Sequence, residues 1–402
     1  MDRRVVFRLR RLLPLPISFR LVSYLPRPIQ SFLRRPHARS PTQRRRKLHA
    51  TSYLDGLRGL AALIFFVCCY TEANHPALTP WYGVSPYPSS WIQLPFLRVV
   101  FSGRPMVHIF FVITGFALSL KALTAVRARG FVRCYSTLAS AALRRQIQLC
   151  GPPVVSIILI VAFIRTGWRW DALPALGLQL GGSIPARLYP SDGVSLWTIP
   201  IEICYSAVLF LMVLALSCMR QKARVAFGLI FGVYCLHYGR WAAAESIGGM
   251  LLAEAHFASV GRERCESLPL INSAPCLNRL EGTEMETSQR NTRRLMIKRI
   301  ETTLQITVLS AALFIAGWPN ADSLRTPGIR HLVHIVPRGF DPRDPQGPQK
   351  FWFAIAAMGV VWSCGRLTFV RKMILESRFM QYAGRLSFAI YIVHGPREWF
   401  LP

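Results

Sequence analysis

The stretch that decides the fold is 106–123, which reads MVHIFFVITGFALSLKAL. It is apolar almost throughout, and its length is close to the roughly 20 residues of helix that cross a bilayer. Eight further apolar runs lie at 57–71, 151–164, 197–218, 225–239, 241–256, 302–318, 351–364 and 386–402. Such a series leaves no polar face for water. The sequence therefore predicts an all-α protein, a polytopic bundle of transmembrane helices.

Composition narrows the class of protein further. The 402 residues are 52% hydrophobic, which excludes a disordered chain. The 49 Lys and Arg against 19 Asp and Glu give a net charge of +30. That excess is typical of nucleic-acid binders. Here much of it flanks the apolar runs, where membrane topology explains it. We therefore expect a lipid bilayer as partner and no nucleic acid.

The positions of the basic residues predict the orientation. The segments at 124–150, 219–224 and 365–385 carry five, three and five arginines and lysines, whereas 72–105 and 165–196 carry two and three. The pattern is weaker at 319–350, which carries five although it should face outward. Basic loops stay in the cytosol. We therefore expect an integral, multi-pass membrane protein with a cytosolic N-terminus. The organelle is not specified by the sequence.

Two domains are predicted. Residues 1–50 are rich in arginine, contain one acidic residue, Asp2, and hold no spanning run. They predict a cytosolic arm, partly disordered or lying on an anionic membrane surface; a mitochondrial presequence is the alternative. Residues 51–402 form the transmembrane domain, with a polar, mobile loop expected at about 257–300. The last run reaches residue 402, which predicts an incomplete final helix.

The ten cysteines predict neither a metal site nor a redox motif. None forms a C-x-x-C pair, and most lie inside the apolar runs. Thiols in such positions act as small hydrophobic side chains. No metal is expected.

Five ordered motifs carry a family resemblance. They are Leu54-Asp-Gly-Leu-Arg-Gly59, Ser102-Gly-Arg-Pro-Met-Val-His-Ile-Phe-Phe-Val-Ile-Thr-Gly-Phe116, Ser195-Leu-Trp-Thr-Ile-Pro-Ile-Glu202, Ile247-Gly-Gly-Met-Leu-Leu-Ala-Glu254 and Leu386-Ser-Phe-Ala-Ile-Tyr-Ile-Val-His-Gly-Pro396. In this order the chain resembles the acyltransferase 3 family of integral membrane O-acyltransferases, and most closely its fungal-type branch.

The resemblance implies a fold, an activity and two substrates. It implies a bundle of about ten transmembrane helices, so that about nine to ten spans are expected. It implies transfer of an acyl group, often acetyl, from acyl-CoA to a hydroxyl of a sugar, lipid or small-molecule acceptor. Acyl-CoA is then a donor substrate, and no bound cofactor is expected.

The first motif contributes the candidate donor site. Asp55 and Arg58 lie three residues apart, on one face of a helix, as a local ion pair or an anion-binding entrance. The family places a catalytic His eleven positions after the Arg, where this chain has Cys69. Eleven residues of helix rise roughly 16 Å, about the reach of a pantetheine arm. Arg58 would hold the CoA phosphates and position 69 would meet the thioester.

Two further sets of residues are expected to bind or to catalyse. Arg144 and Arg145 match a basic family motif and are candidate phosphate ligands; positive-inside bias is the alternative. Glu202 is a carboxyl inside an apolar run, which is a candidate functional site by default. It would act as general acid or base, or orient the acceptor; a structural hydrogen bond is the alternative. Trp197 is an interfacial anchor or the wall of a substrate cavity.

The missing His leaves the catalytic group open. Cys69 is a candidate nucleophile, although an unassisted thiol in apolar surroundings is inert. His108 enters its span from the predicted outer side, is expected to approach the same cavity, and is a second candidate for the base. His394 matches the last family motif, as a structural residue or a lining of the acceptor path. Glu254 is expected at a helix end.

Three functions remain open at this stage. The first is an active membrane O-acyltransferase. The second is a catalytically impaired relative that only binds acyl-CoA or acceptor, because Cys69 stands at the position of the His. The third is a transporter-like multispan protein, which internal repeats would favour.

Overall fold

The computed structural model describes residues 49, 51–84, 89–165, 198–267, 283–319, 323–341, 344 and 346–397. The predicted basic arm at 1–50 lies outside this part of the chain, apart from His49. Helices and short connections make up all of the described residues, which contain no strand. The predicted all-α class is confirmed.

Nine long helices occupy the described part of the chain, and each overlaps one predicted span. They are α1 (Ser52–Asn74), α2 (Arg104–Arg127), α3 (Phe131–Arg165), α4 (Thr198–Ala215), α5 (Gln221–His237), α6 (Trp241–Ser267), α7 (Thr283–Ala316), α8 (Gly347–Arg366) and α9 (Arg378–Arg397). Pro105 and Pro348 stand at the first positions of α2 and α8, where a missing N–H costs nothing.

Four stretches within these helices are long and apolar enough to cross a membrane. They are Ser52–Glu72, Arg104–Arg127, Thr198–Ala215 and Leu295–Ala316. A fifth is possible if α8 and the segment Thr368–Leu375, which bends away from it by 80°, are one span. The protein is thus a multi-pass helical bundle. The expected number of about nine to ten crossings stays a prediction.

Helix α2 lies at the centre of the bundle and packs against α1, α3, α4, α6 and α8. Its tightest crossing is with α6, where a Cβ on Gly115 would overlap the backbone carbonyl of Ser246. A Cβ on Gly249 would likewise overlap the carbonyl of Val112. Small residues at such crossings let two backbones touch, as is common in membrane helices.

Helices α1 and α9 form a second close pair, although they stand at opposite ends of the chain. The backbone of Asp55 leaves no room for a Cβ on Gly384. Further along, the rings of Phe65 and Tyr391 have centroids 5.1 Å apart. The two helices therefore run parallel, and α9 brings residues of the last motif beside those of the first.

The loop between α1 and α2 is held by a buried arginine. The guanidinium of Arg98 donates to the carbonyls of Thr79 and Pro80, in the latter case over 2.7 Å. Burial lowers the pKa of Arg98 to about 10, so the group stays charged at neutral pH. Arg98 thus ties the part of the loop at 79–80 to the part just before α2.

Three helices extend beyond the predicted boundaries. Helix α3 begins at Phe131, twenty residues before the predicted run. Within the predicted loop at about 257–300, α6 continues to Ser267 and α7 begins at Thr283. These extensions contain many polar residues, whereas an apolar run marks only the part of a helix that is apolar all round. The end of the chain, where an incomplete helix was expected, lies outside the described residues.

Candidate active site

Three helices bring one polar cluster together in the bundle. Glu202 on α4 forms an ion pair with Arg145 on α3, and Thr114 on α2 donates to Oε1 of Glu202 over 3.1 Å. Nη2 of Arg145 also donates to Oγ1 of Thr114 over 3.2 Å. Glu202 and Arg145 were both predicted as site residues. Their direct pairing, and the part of Thr114 in it, were not.

The local sequence of α3 explains why Arg145 faces inward. Cys134, Leu138 and Leu149 are buried and recur at helical spacing, and Arg145 falls on the same stripe. Arg144 is one residue, or about 100°, away and is exposed, where it donates to Oγ of Ser140 over 3.1 Å. The two predicted phosphate ligands thus lie on different faces, and only Arg145 joins the cluster.

The cluster is accessible on one side. The side chains of Arg145 and Glu202 are 12% and 21% exposed. Both contacts of the Glu202 carboxylate end on Oε1. Nε of Arg145 is buried and has no hydrogen-bond partner within the part of the chain that the structure describes. One carboxylate oxygen is therefore anchored by two donors, and the partly exposed guanidinium of Arg145 lies beside it.

A tyrosine that sequence reasoning missed lies next to this cluster. Tyr391 on α9 shares a 2.6 Å hydrogen bond with Oγ1 of Thr198, at the start of α4. Its hydroxyl is within electrostatic range of both Glu202 and Cys69. The signal was present, since Tyr391 stands three residues before His394 in the last motif. It was passed over because a tyrosine in an apolar run is ordinary in a membrane helix.

Cys69 and Arg58 lie at opposite ends of the site. Cys69 is half-buried and lies on the α1 face toward Tyr391, whereas its neighbour Cys68 is buried beside Gly103. Arg58 is half-buried and near enough to Arg145 for the two charges to interact. The order along the bundle is thus Arg58, then the Glu202 cluster, then Tyr391 and Cys69.

The remaining predicted substrate ligands are placed differently. Asp55 is exposed at the start of α1, and the structure records no ion pair between it and Arg58, both of which are described. Trp197 lies outside the described residues, as does the side chain of His394, whose backbone belongs to α9. No group of three His, Cys, Asp or Glu side chains arranged for a metal ion occurs among the described residues.

His108 does not reach the Glu202 cluster, which corrects the expectation that it approaches the same cavity. Its Nδ1 contacts the carboxylate of Glu245 on α6, and the His and Glu side chains are 6% and 0% exposed. The ring also packs against Trp241 and Phe353. Six residues of α2 separate His108 from Thr114, which moves the two side chains about 9 Å apart along the axis and onto different faces.

Glu254 is likewise not a helix-end residue. It lies well inside α6, is 1% exposed, and accepts from Arg127 on α2 and Arg224 on α5. The distances are 2.7 Å and 2.6 Å. Two arginines on one buried carboxylate tie three helices together. This fits a structural part for the motif that ends in Glu254.

Comparison with known proteins supplies the family. The family model described as an acyltransferase domain matches residues 51–400. The chain is 27% identical to the O-acetyltransferase PaAT-1 of Phomopsis amygdali, over 90% of this chain and 75% of that protein. It is 23% identical to the acyltransferase clz18 of Cochliobolus lunatus, over 86% and 82%. No solved structure matches the chain.

Proposed function

Because the chain belongs to the acyltransferase 3 family and is therefore an acyltransferase, we propose that it moves an acetyl group from acetyl-CoA to a hydroxyl of a sugar, lipid or small-molecule acceptor. The observation that supports this proposal most directly is the cluster of Arg145, Glu202 and Thr114. Its charged side chains are partly exposed, and Arg58 and Tyr391 lie on either side of it. The printed name of one relative, an O-acetyltransferase, supports acetyl as the group.

Glu202 is the base in this proposal. Its Oε1 is held by Arg145 and Thr114, which leaves Oε2 to accept the proton of the acceptor hydroxyl. A general base must lie within hydrogen-bond reach of the proton it takes. The hydroxyl oxygen then bonds to the thioester carbonyl carbon, the C–S bond breaks, and the CoA thiolate recovers the proton from Glu202.

Arg145 and Tyr391 act on the developing charge. The guanidinium of Arg145, whose side chain is 12% exposed, is a donor for the carbonyl oxygen as it becomes negative. Because it is also hydrogen-bonded to Thr198, the Tyr391 hydroxyl is a weaker second donor beside the Glu202 cluster. Such donors act strongly because the surrounding helices exclude most water.

In this proposal Arg58 and Cys69 contact the two ends of acyl-CoA, the phosphates and the acyl thioester. Arg58 adds to the positive charge around Arg145 and is placed to hold CoA phosphates at the predicted cytosolic side. Asp55 and Arg144 are exposed and would act at the entrance. Cys69 then meets the acyl end, either as a nucleophile or as a small residue that leaves room for the acyl group.

The alternative of a catalytically impaired protein that only binds acyl-CoA or acceptor stays open because Cys69 stands at the position of the family His. If the family His supplies an indispensable base, a chain with Cys69 binds donor or acceptor without transfer. Cys69 lies on the Tyr391 side of the site, so one substitution that places an imidazole at position 69 tests this alternative.

The test is acyl transfer by the purified chain in lipid nanodiscs. Radiolabelled acetyl-CoA and a panel of hydroxyl acceptors are supplied, and CoA release and labelled product are measured for wild type, Glu202→Ala, Cys69→Ala and Cys69→His. Glu301→Ala is the matched control, because Glu301 is an exposed carboxyl on α7. We expect transfer by wild type and Glu301→Ala, and its loss in Glu202→Ala.

The cysteine variants separate the alternatives. Transfer that Cys69→Ala abolishes assigns the thiol as nucleophile, whereas transfer that survives leaves Glu202 as the sole base. A silent wild type with an active Cys69→His establishes the impaired enzyme. Transfer by wild type that survives Glu202→Ala refutes the assignment of the base.

A further inference from the structure

The connection between α8 and α9 presents apolar and basic side chains together on its outer surface. The segment Thr368–Leu375 leaves α8 at an angle of 80° and is followed by the first turns of α9. We name seven of the exposed side chains in this region the elbow surface. They are Phe369, Lys372, Met373, Arg378, Phe379, Tyr382 and Arg385.

The apolar members of this surface do not contribute to the protein core. Phe369 and Met373 are four residues apart, share one helical face, and are 70% and 67% exposed. Phe379 and Tyr382 are also mostly exposed. On the other side Leu375 is 1% exposed and packs into the bundle. The segment therefore separates an inner anchor from an outer apolar face.

The segment is also held in a fixed position. Nε2 of Gln381 donates to the carbonyl of Ser52, at the start of α1, over 2.7 Å, and to that of Leu375 over 2.9 Å. Arg371 pairs with Glu376 over 2.9 Å. The outward direction of Phe369 and Met373 is thus set by the fold.

The charges distinguish this surface from an ordinary lipid-facing side of the bundle. Helix α5 also exposes apolar side chains, among them Leu229, Ile230 and Val233, but no charged residue lies between them. On the elbow surface, Lys372, Arg378 and Arg385 are interleaved with the aromatic side chains. Aromatic rings and long basic side chains together are typical of the boundary between lipid headgroups and water.

We propose that the elbow surface lies in the headgroup region of the membrane and selects anionic lipids. The 80° bend turns the chain from the direction of α8 toward the membrane plane, as an interfacial segment requires. The apolar side chains enter the acyl boundary, and the three basic side chains face the headgroups. No acidic side chain belongs to the elbow surface, so its charge complements a phosphatidylserine layer.

The experiment identifies which lipids contact individual residues of the elbow surface. A photo-crosslinking phenylalanine analogue replaces Phe369 or Tyr382 in the full chain, in nanodiscs of phosphatidylcholine with a minority of phosphatidylserine. Ile230, which is 71% exposed on α5, carries the analogue as the matched control. The lipid adducts are identified by mass spectrometry.

We expect lipid adducts at all three positions. At Phe369 and Tyr382 the share of phosphatidylserine should exceed its share in the bilayer by about threefold or more. At Ile230 it should follow the bilayer composition. Absence of lipid adducts at Phe369, or adducts to protein alone, would overturn the interfacial placement. Adducts at Phe369 and Tyr382 whose lipid composition equals that of the bilayer would contradict the proposed selection of anionic lipids.

A charge-removal variant tests the cause. Lys372→Gln, Arg378→Gln and Arg385→Gln are combined; all three side chains are exposed, so the fold should be retained. Unchanged adducts at Ile230 check this. The phosphatidylserine enrichment should fall to the bulk value while adducts at Phe369 persist. Enrichment that remains would show that the basic side chains do not cause it.

Discussion

Helix α2 carries two acid–base contacts that differ chiefly in burial. At Thr114 it joins the ion pair of Arg145 and Glu202, whose side chains keep 12% and 21% exposure. Six residues earlier, His108 meets Glu245 with 6% and 0% exposure. A partly open pair can exchange protein contacts for substrate contacts. A sealed pair cannot do so without opening the bundle, and for this reason the proposed chemistry rests on the first pair and not on the second.

The largest expected effect follows from removing the charge of each acid in turn. Glu202→Gln should lower the transfer rate by about 10²-fold or more, because the amide cannot take the hydroxyl proton. Glu245→Gln should leave the rate per folded molecule within about twofold, since it lies outside the open cluster. Initial rates of CoA release, corrected for folded protein, measure both. Equal losses of transfer rate in Glu202→Gln and Glu245→Gln would contradict the assignment of different roles to the two ion pairs.

The next largest effect is a loss of stability when the buried carboxylate of Glu254 is removed. Glu254→Gln leaves Arg224, itself 2% exposed, without its charged partner. Breaking a buried pair in this way costs about 3 kcal/mol of unfolding free energy. Unfolding in mixed detergent and SDS micelles measures it, with Glu301→Gln as control. A loss as small as that of the control would mean that the arginines find other partners.

A smaller effect on stability is expected at the buried pair of His108 and Glu245, and it distinguishes a structural from a catalytic role for His108. Glu245→Met should lower the free energy of unfolding by about 1–3 kcal/mol, because the His108 ring loses its partner in the core. The double variant His108→Phe, Glu245→Met should recover most of that loss, since an apolar pair of similar size needs no partner. Unfolding free energies of the two variants provide the comparison. A double variant that folds normally but transfers nothing would give His108 a catalytic part.

The smallest effect is expected at the edge of the open cluster. Tyr391→Phe removes the hydroxyl bonded to Thr198 and leaves the ring contact with Phe65. One neutral hydrogen bond is worth about 1 kcal/mol, which corresponds to roughly a fivefold lower rate. Steady-state kinetics should show the loss in kcat with little change in the KM for acetyl-CoA. A change in KM alone would instead assign Tyr391 to donor binding.

Much of the fold and part of the site followed from local sequence. Each of the nine apolar runs overlaps a helix, because a run long enough to span a bilayer forms its hydrogen bonds within itself. Glu202 was found because a carboxyl in an apolar run is costly and so stands out. Arg145 was found by motif, but its separation from Arg144 depends on a helix whose first twenty residues were not predicted.

The misses have a common origin in long-range packing. Glu245 was passed over beside the Gly-rich motif, and Glu254 was expected at a helix end, because the partners of both are more than twenty residues away in sequence. Tyr391 stood inside a recognised motif, yet its neighbours Thr198 and Phe65 come from distant helices. No local pattern reports such contacts.

By itself, the sequence determined that this protein is a helical membrane acyltransferase, because apolar runs and short motifs are properties of contiguous residues. Only the tertiary structure decided which polar residues meet. Glu202 could pair with Arg145 only after α3 and α4 had packed beside α2, and His108 was withdrawn from the site by Glu245 on α6. The physical reason is that burial and hydrogen bonding are set by what lies across a helix interface, and small residues such as Gly115 and Gly249 decide where those interfaces form.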